Sequence, residues 1–173
     1  MRNSPLKVLI DTLPQVGRVE WIGLRPGRDA EMVPVARVHA APDSGLEGDR
    51  YQGRKGGSGK RQVTLIQHEH LATIAALAHK PSVTAEMLRR NVVVSGINLL
   101  ALKSKTFRIG EAILEYTGPC DPCSKMEALL GPGGYNAMRG HGGITARVLQ
   151  EGHIAVGDEL RSSTFKTPAD NAT

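Results

Sequence analysis

Along the chain, hydrophobic and polar positions switch between two periods. Residues 16–24, Val-Gly-Arg-Val-Glu-Trp-Ile-Gly-Leu, alternate as a half-buried strand does, and Val33-Pro-Val-Ala-Arg-Val-His is expected to return as its hairpin partner after a turn at Pro26 and Gly27. Pro34 has no N–H to donate, which places it at the start or edge of that second strand. Gln62-Val-Thr-Leu-Ile-Gln predicts a further strand, and Leu71, Ile74, Ala75 and Ala78 then recur at helical spacing, so residues 68–79 are expected as an amphipathic helix. Residues 81–91 read as a second short helix, capped by Ser82 or Thr84 and closed by Asn91, whose side chain tolerates left-handed backbone. Val92-Val-Val opens a buried strand, and Phe107-Arg-Ile-Gly-Glu-Ala-Ile-Leu-Glu-Tyr reads as a hairpin turning at Gly110. Ile144-Thr-Ala-Arg-Val-Leu and His153-Ile-Ala-Val are expected to pair as a last hairpin, turning at Glu151 and Gly152.

Outside these segments, residues 1–15, with Pro5 and Pro14, read as a loosely held leader and residues 164–173 as a polar tail, leaving 16–163 as the domain. Seven or eight strands joined by two or three short helices predict a mainly β (α+β) fold, a closed or nearly closed β-barrel with short helices at its connections.

Composition narrows the function classes. At 173 residues the chain suffices for one domain, and its 20 glycines suit tight turns and close backbone approaches. A net charge of +5 favours an anionic partner, but no Lys/Arg stripe is interleaved with aromatics. A small anionic molecule is therefore expected rather than nucleic acid. The first residues lack the apolar core of a signal peptide, and no stretch approaches the ~18 apolar residues of a membrane span. A soluble, cytoplasmic protein with no membrane partner is expected.

The two cysteines fall together in Gly118-Pro-Cys-Asp-Pro-Cys-Ser-Lys-Met-Glu-Ala-Leu-Leu. Asp121 suits a helix N-cap and Pro122 the first helical position, so Cys123 is expected at the second, where the positive end of the helix favours thiolate. Met126, Leu129 and Leu130 recur at helical spacing and can anchor the helix. So short a loop gains little from a disulfide, which leaves redox or metal chemistry, with a buried structural cysteine as the competing reading. A zinc site would have to recruit histidines such as His141 and His153, at no recognised spacing.

Three further stretches carry candidate chemistry. The loop 45–61 combines glycines with Arg50, Arg54, Lys55, Lys60 and Arg61, which makes either a phosphate cradle or a solvated loop. Arg89, Arg90 and Asn91 cluster at a helix-to-strand corner. His68 and His70, two apart, cannot share a helical face and read as surface groups, whereas His141, set among glycines, can reach a pocket as a proton donor.

In order and spacing, Gly45-Leu-Glu-Gly-Asp-Arg-Tyr, Arg61-Gln-Val-Thr-Leu-Ile, Leu88-Arg-Arg-Asn-Val-Val-Val, Phe107-Arg-Ile-Gly-Glu-Ala, Gly118-Pro-Cys-Asp-Pro-Cys and His153-Ile-Ala-Val-Gly-Asp resemble the MOSC domain, named for the C-terminal domain of molybdenum cofactor sulfurase. The resemblance spans roughly residues 16–160 and is to the small stand-alone bacterial type. It implies a β-barrel, a molybdenum cofactor (molybdopterin) ligated through Cys123, and reduction of small N-hydroxylated compounds such as amidoximes and hydroxylaminopurines with electrons from a separate reductase. It assigns Arg89 and Asn91 to an Arg-x-Asn element associated with the pterin phosphate, and makes Arg50 a further anion contact. It also implies an alternative, a sulfur carrier holding pyridoxal-free persulfide sulfur on the same cysteine.

Overall fold

The period-two segments pair edge to edge until the sheet meets itself. The computed structural model describes residues 4–51 and 59–163. Its strands in chain order are β1 (Gly17–Leu24), β2 (Val33–Pro34), β3 (Arg37–Ala41), β4 (Gly45–Leu46), β5 (Val63–Gln67), β6 (Val92–Ser95), β7 (Thr106–Ile109), β8 (Ala112–Pro119), β9 (Ile144–Gln150), β10 (Gly152–Ala155) and β11 (Glu159–Ser162). The helices are α1 (Pro5–Asp11), α2 (His68–Leu77), α3 (Ala85–Leu88), α4 (Ser124–Leu130) and α5 (Gly134–Met138), with a 3-10 turn at Leu99–Leu102.

Strand order β11-β7-β8-β9-β5-β6-β1 closes through β1–β11, Gly17 opposite Leu160, into the expected barrel, here of seven strands. Closure leaves no long edge exposed. Its one parallel pair is β5–β6, with Leu65 opposite Val92, and the crossover between them carries α2 and α3. That geometry explains the unbroken Val92-Val-Val run. Val92 and Val94 join the barrel interior with Val19, Leu65 and Phe107, while Val93 joins Ile66, Ile74, Leu88 and Met138 in a second cluster that holds the helices. A strand covered on both faces has no polar side to alternate with.

Two expected hairpins are corrected. Only Val33–Pro34 pairs with β1; β3 leaves the barrel and pairs with β10, His39 opposite His153. Likewise β10 does not fold back on β9. Gly152 packs so tightly against the Glu111 and Ala112 backbone that a Cβ would lie 2.5 Å from the Glu111 carbonyl carbon. There Glu111 N donates to the His153 oxygen at 3.0 Å, and β10 runs on to form a three-stranded sheet with β3 and β4. The leader also contains more structure than expected. Ser4 Oγ accepts from Lys7 N at 3.2 Å and Pro5 starts α1, though none of the helix is buried and Leu13 is the nearby residue that enters the core.

Candidate functional site

β8 delivers the cysteines. Its last pairs, Gly118 with Thr145 and Pro119 with Ile144, bring the chain against the start of β9, and Cys120 N then donates to the Gly143 oxygen at 2.8 Å. Helix α4 starts later than the sequence suggests, with Cys123 as N-cap at φ −131°, ψ 177° and Ser124 as the first helical residue. The Cys123 side chain makes no capping bond and is exposed, whereas Cys120 is only 3% exposed; both thiols are free. Met126 and Leu130 anchor the helix, but Leu129, expected beside them, is exposed. Glu127 fixes the next element by accepting from Gly133 N at 2.8 Å and Tyr135 N at 2.7 Å, which pins the start of α5 to α4.

Beyond α5, residues 140–143 fold over the cysteine loop. A Cβ on Gly142 would lie 2.3 Å from the Cys120 oxygen, and one on Gly143, at φ +90°, 1.9 Å from the Leu65 oxygen. Both positions therefore require glycine. Gly143→Ala is expected to cost on the order of 3 kcal/mol or more, because a strained backbone is added to a clash with a strand carbonyl; urea unfolding measures it.

Between these glycines and α5, His141 donates its amide to the Met138 oxygen at 2.8 Å, and its Nδ1 is buried with no hydrogen-bond partner among the described residues. Its ring meets that of His70 edge to face, with centroids 4.9 Å apart. His70 is therefore part of this neighbourhood and not the surface group the sequence suggested; its spacing from His68 carried no sign of a contact with a loop seventy positions on. Burial, and then the neighbouring His141, push the His70 pKa below its ordinary 6.5. The unfolded chain thus binds the proton more readily, so the stability from this contact is complete above about pH 6.5 and falls as pH drops through that value. His70→Asn is expected to flatten the acid side of the stability–pH curve, read by urea unfolding at ~pH 7.5 and ~pH 5.5.

At the corner before β6, Arg89 rather than Asn91 takes the left-handed position, φ 56° and ψ 38°, and ends α3. Its guanidinium donates to the oxygens of Ala30 at 2.7 Å and of Gly27 and Arg28 at 3.2 Å. Asn91 is wholly buried, and its Nδ2 donates to the Gly23 oxygen and Asp49 Oδ1, each at 3.1 Å. Its Oδ1 accepts from Thr64 N at 3.1 Å, Thr64 Oγ1 at 3.0 Å and Arg25 Nη2 at 3.3 Å. Asp49, with no exposed side-chain surface, in turn accepts from Arg25 N, Nε and Nη2 at 2.7, 3.1 and 2.8 Å. In the Gly-Asp-Arg element the aspartate thus works inward, while Arg50 stays exposed and ties in through its amide, 2.6 Å from the Arg25 oxygen.

Arg90, which the sequence left unassigned, is buried between these groups. Its Nε donates to the Gly142 oxygen at 2.9 Å, Nη1 to Leu88 at 2.9 Å and Nη2 to Cys120 at 3.2 Å. Burial pushes its pKa down; Cys120 and Cys123 act in the opposite sense, and Arg25 and Arg61 add to the depression. Those four residues are accordingly close enough for Arg90 to feel their charge. Lys60 and Arg61 are exposed, with the Lys60 oxygen accepting from Thr117 Oγ1 on β8. Arg54 and Lys55 lie outside the described residues. His153, the other reserve zinc ligand, stands instead against His39 and Glu111. Among the described residues, no three or more His, Cys, Asp or Glu side chains gather as a zinc site would require.

A closed barrel, a Cys-x-x-Cys where β8 meets α4, and an Arg-Arg-Asn corner at the foot of β6 together form a recognisable arrangement. The sequence model of the MOSC domain matches residues 37–161. This chain belongs to the MOSC domain family. β1, which closes the barrel, lies before the matched range. Among solved structures, the YuaD protein from Bacillus subtilis is similar, at TM-score 0.75 and 22% identity over 86% of this chain and 97% of its own. YiiM from Geobacillus stearothermophilus superposes at TM-score 0.65 and 20% identity, covering 84% of this MOSC chain and 74% of that one. For YiiM from Escherichia coli the values are 0.66 and 19%, over 87% and 71%. At these identities the likeness is one of fold. A search among curated proteins gives no sequence match. No helix among the described residues is long and apolar enough to cross a membrane.

Proposed function

We propose that this MOSC protein is a molybdenum-cofactor-dependent oxidoreductase that reduces N-hydroxylated compounds, with Cys123 as the metal ligand. The observation that carries the reading is the asymmetry of the cysteine pair: Cys120 is enclosed, while Cys123 is exposed and its side chain makes no capping hydrogen bond. A soft sulfur donor suits such a metal. The side chains of Arg50, Lys60 and Arg61 are exposed cations that make no hydrogen bond or ion pair with the described residues, and they would hold the pterin phosphate. Asn91 spends both side-chain N–H groups on protein oxygens and Arg89 makes three bonds from Nη1 and Nη2 to the 27–30 loop, so their part is to shape the wall behind that rim. When bound, the cofactor would supply the metal centre that accepts the hydroxyl oxygen of the substrate. Two electrons from a separate reductase and two protons balance the cleavage of N–OH to N–H and water. His141 would hand a proton to the leaving oxygen, a role open to an imidazole set in the loop that folds over the cysteines.

Protein produced in a cofactor-competent host and supplied with a chemically reduced viologen should convert an amidoxime to the amidine. Loaded protein that leaves both amidoximes and hydroxylaminopurines untouched would exclude this reading. The exposure of Cys123 also suits a second one, a carrier whose persulfide meets a partner directly. In that case mass spectrometry of protein incubated with a sulfane-sulfur donor such as a polysulfide, whose shortened chain leaves as the Cys123 thiolate takes the outer sulfur, should find one added sulfur on Cys123, removable by reductant.

A further inference from the structure

Among the described residues, the side chain of Arg90 is the one strongly charged group enclosed at the cysteine loop that the proposed chemistry leaves without a task. It is 7% exposed. Its hydrogen-bond partners among the described residues are all backbone oxygens, and they lie on three separate segments: Leu88 at the end of α3, Cys120 in the cysteine loop, and Gly142 in the loop folded over it. No ion pair joins it to a carboxylate among the described residues. Burying a cation without a counter-ion is costly, and hydrogen bonds from a charged donor recover part of that cost. A guanidinium is also planar and rigid, so three acceptors on one fork are fixed relative to one another in a way that a flexible ammonium cannot reproduce.

Local chain geometry aims the fork. The left-handed turn at Arg89 separates two consecutive arginines, sending Arg89 to the 27–30 loop and Arg90 inward. The fork then closes where the two loops touch, since the Cys120 oxygen sits in the space a Gly142 Cβ would need. Apart from Arg90, the cysteine loop has one polar anchor on its leading side, Cys120 N to the Gly143 oxygen at 2.8 Å. On its far side Cys123 is held through its own carbonyl, which accepts from Met126 N at 2.9 Å at the start of α4.

We propose that Arg90 is the positioning residue of the reactive sulfur: by clamping the Cys120 carbonyl to residues 88 and 142, it keeps the Cys120 thiol enclosed and presents Cys123 alone. This rests on the proposed function only in taking Cys123 as the reactive sulfur. The clamp itself is a property of the protein without cofactor.

The test is native-state labelling of cofactor-free protein with a maleimide, followed by intact-mass and peptide analysis. Wild type should take one label, at Cys123, with Cys120 reacting only slowly. In R90M, Cys120 labelling should accelerate about tenfold or more and a second label should appear. R90K keeps the charge without the fork and should behave the same way. G142A, whose added Cβ would lie 2.3 Å from the Cys120 oxygen and 3.3 Å from Arg90 Nη2 and so opens the clamp with the arginine still present, should also expose Cys120 and carries the comparison should R90M fail to fold. Far-ultraviolet circular dichroism and cooperative urea unfolding confirm that each labelled variant is folded. Cys120 remaining protected in folded R90K and G142A, whatever the loss of stability, would overturn the proposal. Molybdenum content of the same variants, made in a cofactor-competent host, is scored separately. Absent metal in wild type together with altered labelling in R90K would sink the function and leave the clamp standing.

Discussion

Replacing Asp49 by alanine is expected to cost about 3–5 kcal/mol of folding stability, the range for removing one partner of a buried ion pair. The reason is the company that Asp49 keeps. Its carboxylate receives three bonds from Arg25, one from Asn91 and one from Tyr51 N at 3.3 Å, and through Asn91 it reaches Thr64 on β5 and Gly23 on β1. Taking it away leaves the Arg25 guanidinium, only 18% exposed, facing an empty space, and leaves an Asn91 N–H unsatisfied in a fully buried position. Urea unfolding near neutral pH measures the loss. Acid should find the same weak point. Burial alone would raise the Asp49 pKa, but Arg25, by hydrogen bonds and charge, and the Tyr51 amide more than reverse this and hold it below its ordinary 3.8. A carboxyl depressed in the folded state stabilises fully above its unfolded pKa, and that contribution is lost as pH falls below about 3.8 toward the folded value. Asp49→Asn, which cannot titrate, should lack this acid-dependent component while being less stable at neutral pH.

Cys123→Ala is expected to bring amidoxime reduction down to the background of heat-inactivated protein. An exposed side chain without a capping bond contributes little to folding, so the same change should move stability by no more than about 0.5 kcal/mol. Cys120→Ala should show the converse pattern. Its thiol is packed away, so stability falls while the metal ligand remains. Comparing the two variants for turnover and for urea midpoint separates a reactive sulfur from a packing one. Equal loss of turnover in both, at unchanged stability, would mean that the asymmetry of the pair does not carry the function.

Much of the barrel was legible because strands such as β7 and β11 bury alternate residues, while the continuous burial of β5 and of Val92-Val-Val belongs to the parallel pair, covered on both sides. Partners were harder to read than strands. Arg37–Ala41 and Gly152–Ala155 both look like returning hairpin arms, yet they pair with each other, since the close approach of Gly152 to Glu111 is a contact between distant segments that no local pattern encodes. At the site, the glycines around His141 announced a close approach, and Gly142 and Gly143 make it. The direction of charged side chains was not legible. Arg50 and Asp49 are adjacent, and only the pairing of Asp49 with Arg25, twenty-four positions away, decides which faces inward. Arg89 and Arg90 are adjacent too, and the left-handed residue between helix and strand sends them opposite ways. An aspartate alone in a cation-rich, glycine-rich loop was the available signal for an internal ion pair.

The account turns on Cys123 as the site where the cofactor is held. Its most direct test is the molybdenum content, by elemental mass spectrometry, of wild type, Cys123→Ala and Cys120→Ala purified in parallel from a cofactor-competent host. About one molybdenum per chain in wild type, much of it kept in Cys120→Ala and none in Cys123→Ala, is the expected result; metal absent from all three, or retained in full without Cys123, would contradict it.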